Sequence, residues 1–263
     1  MTRGLLGAGV LLAGFLAGRR GFEALASAIQ AGGVSTGLAA ALAAGLYLAF
    51  AAALAQVALL VAVQPRDLLI AGRPAPDALR QITVGFGLGA ALVLVTLVVE
   101  WGSGLAQLSS PAMRSGLMRS LGAGLFELGG IAAAEELVFR VALLTIAVRL
   151  TGMRWGIVLS SVTYAGVHAG VSWSSPIYVA SLFCFGAAAC QLRRLGGESA
   201  WIPIGAHWAW DFVSFAVFRA VPITLLGPTW LNGLPDHLSA GLVMLVVLAL
   251  TATATSRLAW RTS

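Results

Sequence analysis

The chain has 263 residues, of which 59% are hydrophobic and 10% charged, with a mean hydropathy of +0.92. A soluble domain carries roughly a quarter charged residues, so this chain lacks the charge to cover a water-facing surface, and lipid is the solvent its composition fits. The net charge of +6 rests on Arg alone, but the Arg residues stand singly or in pairs between apolar runs; they read as loop anchors on a cytoplasmic face, not as a nucleic-acid-binding surface.

A bilayer crossing needs about 20 apolar residues. The first run, near 4–18, is short. Its flank, Ala17-Gly18-Arg19-Arg20, is a poor cleavage site for a signal peptidase, so the run is expected to be a retained helix. Further runs lie within 36–63 and near 81–99, 117–150, 155–171, 176–192, 200–218 and 238–254. The fourth is long for one crossing and should tilt or extend past the membrane. Between the runs stand breakers such as Pro65, Pro74, Pro76, Pro228 and Pro235. The expected fold is all-α: a polytopic membrane helix bundle of seven or eight transmembrane helices. It forms a single integral membrane domain over 1–263, with helices without motif in 1–116, catalytic helices in 117–219, and a C-terminal helix and tail in 220–263. No linker, low-complexity tail or internal repeat interrupts it.

Arg149 and Arg154 flank the turn between the fourth and fifth runs, Arg193 and Arg194 follow the sixth, and Arg257 and Arg261 follow the eighth. If crossings alternate, these turns share one side, which the positive-inside rule makes cytoplasmic. Arg66, Arg73 and Arg80 agree with that scheme; Arg19, Arg20, Arg114 and Arg119 do not. The expected location is a multi-pass position in a membrane, the cell membrane in a prokaryote. Cys184 and Cys190 sit six apart in one apolar run, about 9 Å along a helix axis and beyond disulfide reach; both read as packing residues. The 32 Gly residues read as general helix-packing positions.

A charge at the bilayer centre costs roughly 2.5–3.5 kcal/mol, so charges inside the runs are informative. The fourth run contains Glu135-Glu136-Leu137-Val138-Phe139-Arg140. Glu136 and Arg140, four apart, share a helix face and can pair. Glu135 points about 100° away and has no such partner. A purely structural ion pair is the bland alternative, but two carboxylates at this depth cost too much for packing alone. His168 is the strongly polar residue of the fifth run, in Tyr164-Ala165-Gly166-Val167-His168; a lone membrane His is often only an interhelix hydrogen bond. The seventh run carries His207-Trp208-Ala209-Trp210-Asp211, where His207 and Asp211 share a face, and Asp211 is expected to accept from the imidazole and fix its tautomer. His237, beside Pro235 and Asp236, reads as a solvated loop residue. Taken together, a carboxylate and two imidazoles are enough to activate water, directly or through a metal.

The set Glu135-Glu136-x-x-x-Arg140, aromatic-x-x-x-His168 and His207-x-x-x-Asp211 resembles the CPBP family, also called Abi or CAAX-protease-like, which includes the Ras-converting type II CAAX prenyl endopeptidases. The resemblance covers about 131–211. It implies an intramembrane protease in which Glu135 and His168 act on the attacking water, His207 and Asp211 support the oxyanion, and Glu136, Arg140 and Tyr164 play supporting parts. Two positions depart from the family pattern: Tyr164 stands where Phe is usual, and Asp211 where Asn is frequent. An anion is a poor oxyanion partner, which leaves room for a metal or for orientation of His207. Some members are labelled metalloproteases. The expectation is a metal-free site without cofactor, with zinc held by Glu135, His168 and His207 as the alternative; the H-E-x-x-H pattern is absent. The expected partners are the bilayer and a membrane-associated or lipidated peptide or protein substrate, and no nucleic acid. Two other readings compete: a non-catalytic scaffold or immunity protein on the same fold, and a transporter gated by the same buried charges, against which the lack of an internal repeat counts.

Overall fold

The computed structural model describes residues 2–31, 36–62, 75–108, 117–169, 175–217, 223–233 and 241–261, and among these the eight apolar runs read from the sequence fall on helices; residues 63, 170–171, 218 and 238–240 of those runs lie outside the described residues. Pro65, Arg66, Arg73, Pro74, Arg114, Pro235, Asp236 and His237 lie outside the described residues. The chain forms α1 (Thr2–Ala31), α2 (Thr36–Ala62), α3 (Ala75–Gly102) and α4 (Leu117–Glu136). Helix α4 continues through a π-helical turn, Leu137–Leu143, into α5 (Leu144–Thr151). There follow α6 (Met153–Ala169), α7 (Pro176–Leu195) and α8 (Trp201–Asp211), the last also running into a π turn, Phe212–Val217. A single turn, α9 (Thr229–Asn232), precedes α10 (Leu242–Arg261). Among the described residues the only sheet is a two-stranded antiparallel ribbon of β1 (Ala106–Leu108) and β2 (Ile223–Leu225), with Ala106 opposite Leu225. The molecule is an all-α membrane helix bundle.

Some boundaries differ from expectation. The short first run becomes a helix of 30 residues. Its continuation, Arg19-Arg20-Gly21-Phe22-Glu23-Ala24-Leu25, contains no Pro and mostly helix formers, and Arg19 meets Glu23 one turn on, at 3.6 Å. Arg19 and Arg20 therefore ride on α1 instead of flanking it. Arg193 and Arg194 likewise belong to the last turn of α7, and Arg261 to that of α10. Among the described residues, five helices are long and apolar enough to cross a membrane on their own: α1, α2, α3, α7 and α10. The remaining runs are the three that hold the polar motifs. Helix α6 has 17 residues and α8 has 11 before its π turn, so these depend on packing against the longer helices. Both cysteines are free thiols. Glu100, near the end of α3, is fully buried, and neither carboxylate oxygen has a hydrogen-bond partner.

Backbone contact between α3 and α8 places the seventh-run motif. A Cβ added at Gly85 would stand 2.0 Å from the Ile202 carbonyl oxygen, at Gly89 2.1 Å from that of Ala206, and at Gly205 2.2 Å from that of Ile82. Only Gly permits this approach, which fixes the residue immediately before His207. Trp208 Nε1 donates to the Leu125 carbonyl at 2.8 Å and ties α8 to α4. The N-terminal helices pack on the π turn of the fourth run: Phe15 of α1 meets Phe139 edge to face, at 5.1 Å between ring centroids.

The π turn after Glu136 is held from two sides. Such turns interrupt the regular i to i+4 ladder and often sit at functional sites. Here the Phe139 carbonyl accepts from Leu144 N–H and from the Ser160 hydroxyl of α6 at 2.9 Å. The Arg140 carbonyl accepts from the Arg193 guanidinium of α7, which also donates to Thr145 Oγ1 at 3.2 Å.

The α3–α8 contact makes a testable demand. Gly89→Val should push the two backbones apart and cost on the order of 1–3 kcal/mol or more of stability. Gly87→Val is the control, since a Cβ there meets nothing within 4 Å; it should stay within about 0.5 kcal/mol, as surface changes do. Thermal unfolding of the two variants in one detergent compares them, and equal losses would show that the close approach is not what matters.

Candidate active site

Glu135 and Glu136 are the last two residues of α4 before the π turn, and both are buried. Their side chains leave the helix in different directions, and each finds a different set of partners. Glu136 Oε2 lies 3.3 Å from Arg140 Nε, with both side chains fully buried. Its other oxygen, Oε1, accepts from His207 Nδ1 at 2.8 Å, across 71 residues of sequence. One carboxylate therefore joins the α4 motif to the α8 motif.

Arg140 makes no well-aligned hydrogen bond through its guanidinium nitrogens. Its charge is balanced by Glu136 and by ring faces. The guanidinium carbon is 4.1 Å from the Tyr164 ring centroid, 5.8 Å from that of Phe185 and 5.9 Å from that of Phe139. Contacts inside about 6 Å are favourable for a desolvated cation over an aromatic face.

Glu135 faces the imidazoles. Its Oε2 is 3.3 Å from His168 Nε2 and 3.8 Å from His207 Nε2. His168 Nδ1 donates to the Tyr164 carbonyl at 2.8 Å, so the Nδ1 proton is committed there and Nε2 is left toward Glu135. His207 Nδ1 is committed to Glu136 in the same way, and its Nε2 points to a shared space. Around that nitrogen stand Tyr164 Oη at 3.4 Å, Asp211 Oδ2 at 3.5 Å and Glu135. The expected His207–Asp211 contact is present, but the shorter bond, the one that engages Nδ1–H, comes from Glu136.

The structure thus brings Glu135, Glu136, Arg140, Tyr164, His168, His207 and Asp211 into one cluster drawn from α4, its π turn, α6 and α8. The cluster is graded. Glu136 and Arg140 are sealed, Glu135 and His207 nearly so, and the His168 and Asp211 side chains are each 14% exposed. Three contributors carried no signal in the sequence. Phe185 of α7 packs its ring against His207 at 5.1 Å and over Arg140, while Ser160 and Arg193 hold the π turn. An aromatic, a Ser and a helix-end Arg are ordinary in a membrane helix, so no spacing rule would single them out.

Among the described residues no group of three or more His, Cys, Asp and Glu side chains is arranged to hold a metal ion. Glu135, His168 and His207 converge, but they do not form a ready cage.

Residues 118–213 match the family described as type II CAAX prenyl endopeptidase Rce1-like. The matched segment begins one residue into α4, ends in the second π turn, and contains all seven residues of the cluster. This agrees with the CPBP resemblance read from the motifs. No curated protein matches the chain.

The buried pair gives a stability prediction. Arg140→Met leaves Glu136 charged and without its counterion, a change that typically costs about 3–5 kcal/mol. Adding Glu136→Gln removes the stranded charge and keeps an acceptor for His207, so the double variant should recover a large part of the loss. Chemical unfolding of both in detergent tests this; a double variant no more stable than Arg140→Met would mean the pair is not coupled.

Proposed function

We propose that this chain is an intramembrane endopeptidase that uses a metal-free, glutamate-driven hydrolysis. The observation that carries the reading is the position of Glu135, whose carboxylate faces Nε2 of both His168 and His207 inside the segment that matches the prenyl endopeptidase family.

The chemistry follows from which hydrogens are already committed. With Nδ1 donating to the Tyr164 carbonyl, neutral His168 turns a lone pair toward Glu135. Two acceptors 3.3 Å apart favour a guest that donates to both, and water is that guest. Glu135 takes one proton as the water oxygen attacks the scissile carbonyl carbon, and His168 holds the other O–H. The carbonyl oxygen then becomes an oxyanion, to which His207 Nε2–H donates while Glu136 holds Nδ1 and offsets the charge of the doubly protonated ring. When the C–N bond breaks, the proton on Glu135 passes to the departing amine. General acid–base help of this kind is worth roughly 10²–10⁴ in rate, and a preorganised oxyanion donor about 10²–10³.

The substrate class is a membrane-associated or lipidated peptide or protein, cut by a multi-pass membrane protein. An apolar cavity of about 470 Å³ supports this, lying between α3, α7, α8 and α10 and lined by Leu92, Phe185, Ala188, Ala206 and Leu248 among others. Phe185 belongs to both places: it lines the cavity and packs on His207. A prenyl chain in that cavity would lie one side chain, Phe185, away from the imidazole.

In proteoliposomes, a farnesylated peptide ending in a C-a-a-X sequence should be cleaved by the wild type. Glu135→Gln should lose at least about 10²-fold in kcat with an unchanged melting temperature. Near-normal turnover in that variant would rule out Glu135 as the base, and a wild type that cleaves no peptide would favour the scaffold or transporter readings. Activity should also survive a strong chelator; loss on chelation that added zinc restores would replace the metal-free mechanism with a zinc-dependent one. Ala188→Phe, which fills the cavity, should raise KM for the farnesylated peptide and leave kcat nearly constant. An unchanged KM would place the lipid elsewhere.

A further inference from the structure

The oxyanion site has a chemical difficulty. Apart from the hydroxyl of Tyr164, the side chains facing His207 Nε2 are carboxylates: Asp211 Oδ2 at 3.5 Å and Glu135 Oε2 at 3.8 Å. A developing oxyanion beside Nε2–H would meet one donor and, once Glu135 has taken its proton, still one anion in Asp211. Oxyanion sites gain their effect from several donors aimed at the charge as it forms.

Tyr164 supplies the missing donor in position. Its side chain is buried, and its Oη lies 3.4 Å from His207 Nε2. That is at the long end of a hydrogen bond, so the hydroxyl is not tied up in the resting site. The phenol cannot swing away easily. Its ring is pinned by Arg140 at 4.1 Å from its centroid and by Phe139, whose ring stands nearly perpendicular to it at 5.2 Å between centroids. Its backbone is fixed by the His168 bond to its carbonyl. A phenol O–H and an imidazole N–H about 3.4 Å apart can both reach a single oxygen atom placed between them.

We infer that Tyr164 is a catalytic residue whose hydroxyl donates to the oxyanion alongside His207 Nε2–H, and that it does so because Asp211 cannot. This rests on the proteolytic reading above. In the step, the scissile carbonyl oxygen gains the electron pair of its π bond as the water oxygen bonds to carbon. Tyr164 O–H and His207 Nε2–H hydrogen-bond to that oxygen without transferring their protons. When the pair returns to re-form C=O and expel the amine, both donors are left as they were.

The test is a cycle of Tyr164→Phe and Asp211→Asn, with Glu135→Gln as reference, assayed on the farnesylated C-a-a-X peptide in proteoliposomes. Tyr164→Phe should lower kcat on the order of 10²-fold with KM changed less than about threefold and the melting temperature unchanged. The double variant Tyr164→Phe with Asp211→Asn should regain at least about tenfold over Tyr164→Phe, because the Asn amide replaces an anion with a donor at the same oxygen. Rescue of this kind is not expected if the phenol only packs. The inference is overturned if Tyr164→Phe retains wild-type kcat while Glu135→Gln is dead, or if the double variant is no faster than Tyr164→Phe. If wild type and Glu135→Gln are equally inactive, the proteolytic reading fails and this inference fails with it. A fall in melting temperature that parallels the loss of kcat also overturns it, in favour of a structural role.

Discussion

A buried carboxylate needs partners inside the protein, and Glu136 has one hydrogen bond and one ion pair. One oxygen faces Arg140 on the next turn of its own helix, and the other takes the Nδ1 proton of His207 from a helix 71 residues away. The rest of the site hangs on this bridge. It sets which nitrogen of His207 is free, and that nitrogen is the one facing Glu135, Asp211 and Tyr164. It also supplies the counterion that lets a fully buried Arg140 exist at all. Removing one partner from such a pair is far more damaging than replacing both, so the bridge resists piecemeal change.

Backbone devices hold the bridge in register. Both helices that carry acidic motif residues leave the α-helical path immediately after them, at Leu137 and at Phe212. In the first case the altered turn has its carbonyls taken by Ser160 and Arg193 from two other helices. On the other side, three glycines bring α3 and α8 into backbone contact beside His207. A membrane interior offers little hydrophobic drive between helices, so close packing and interhelix hydrogen bonds carry the association. Here they do so around the site itself.

Burial is graded across the charges of the site. Glu136 and Arg140 are sealed and paired with one another, whereas His168 and Asp211 retain some exposure and Glu135 lies between. Adjacent carboxylates in one helix thus acquire different partners. Helical geometry sends them about 100° apart, one toward a cation and one toward two imidazoles that already have their other nitrogens engaged.

The sequence by itself determined the membrane class, the helical runs and the candidate residues. The reason is physical: lipid demands long apolar helices, and any charge kept inside them stands out by its cost. Spacing of four also exposed the Glu136–Arg140 and His207–Asp211 pairs, because such residues share a helix face. It could not reveal that Glu136, not Asp211, fixes His207, since that bond depends on how α4 and α8 are set against each other. Nor could it mark Phe185 or Ser160, whose types are unremarkable in a membrane helix, or show that Arg193, legible only as a helix-end charge, holds the π turn; these roles arise only from the helices they face. Hydropathy understates the first helix because it fades at Arg19 while helix propensity does not. Local chemistry is written along one helix, but which nitrogen meets which oxygen is decided between helices, and only the tertiary packing holds that information.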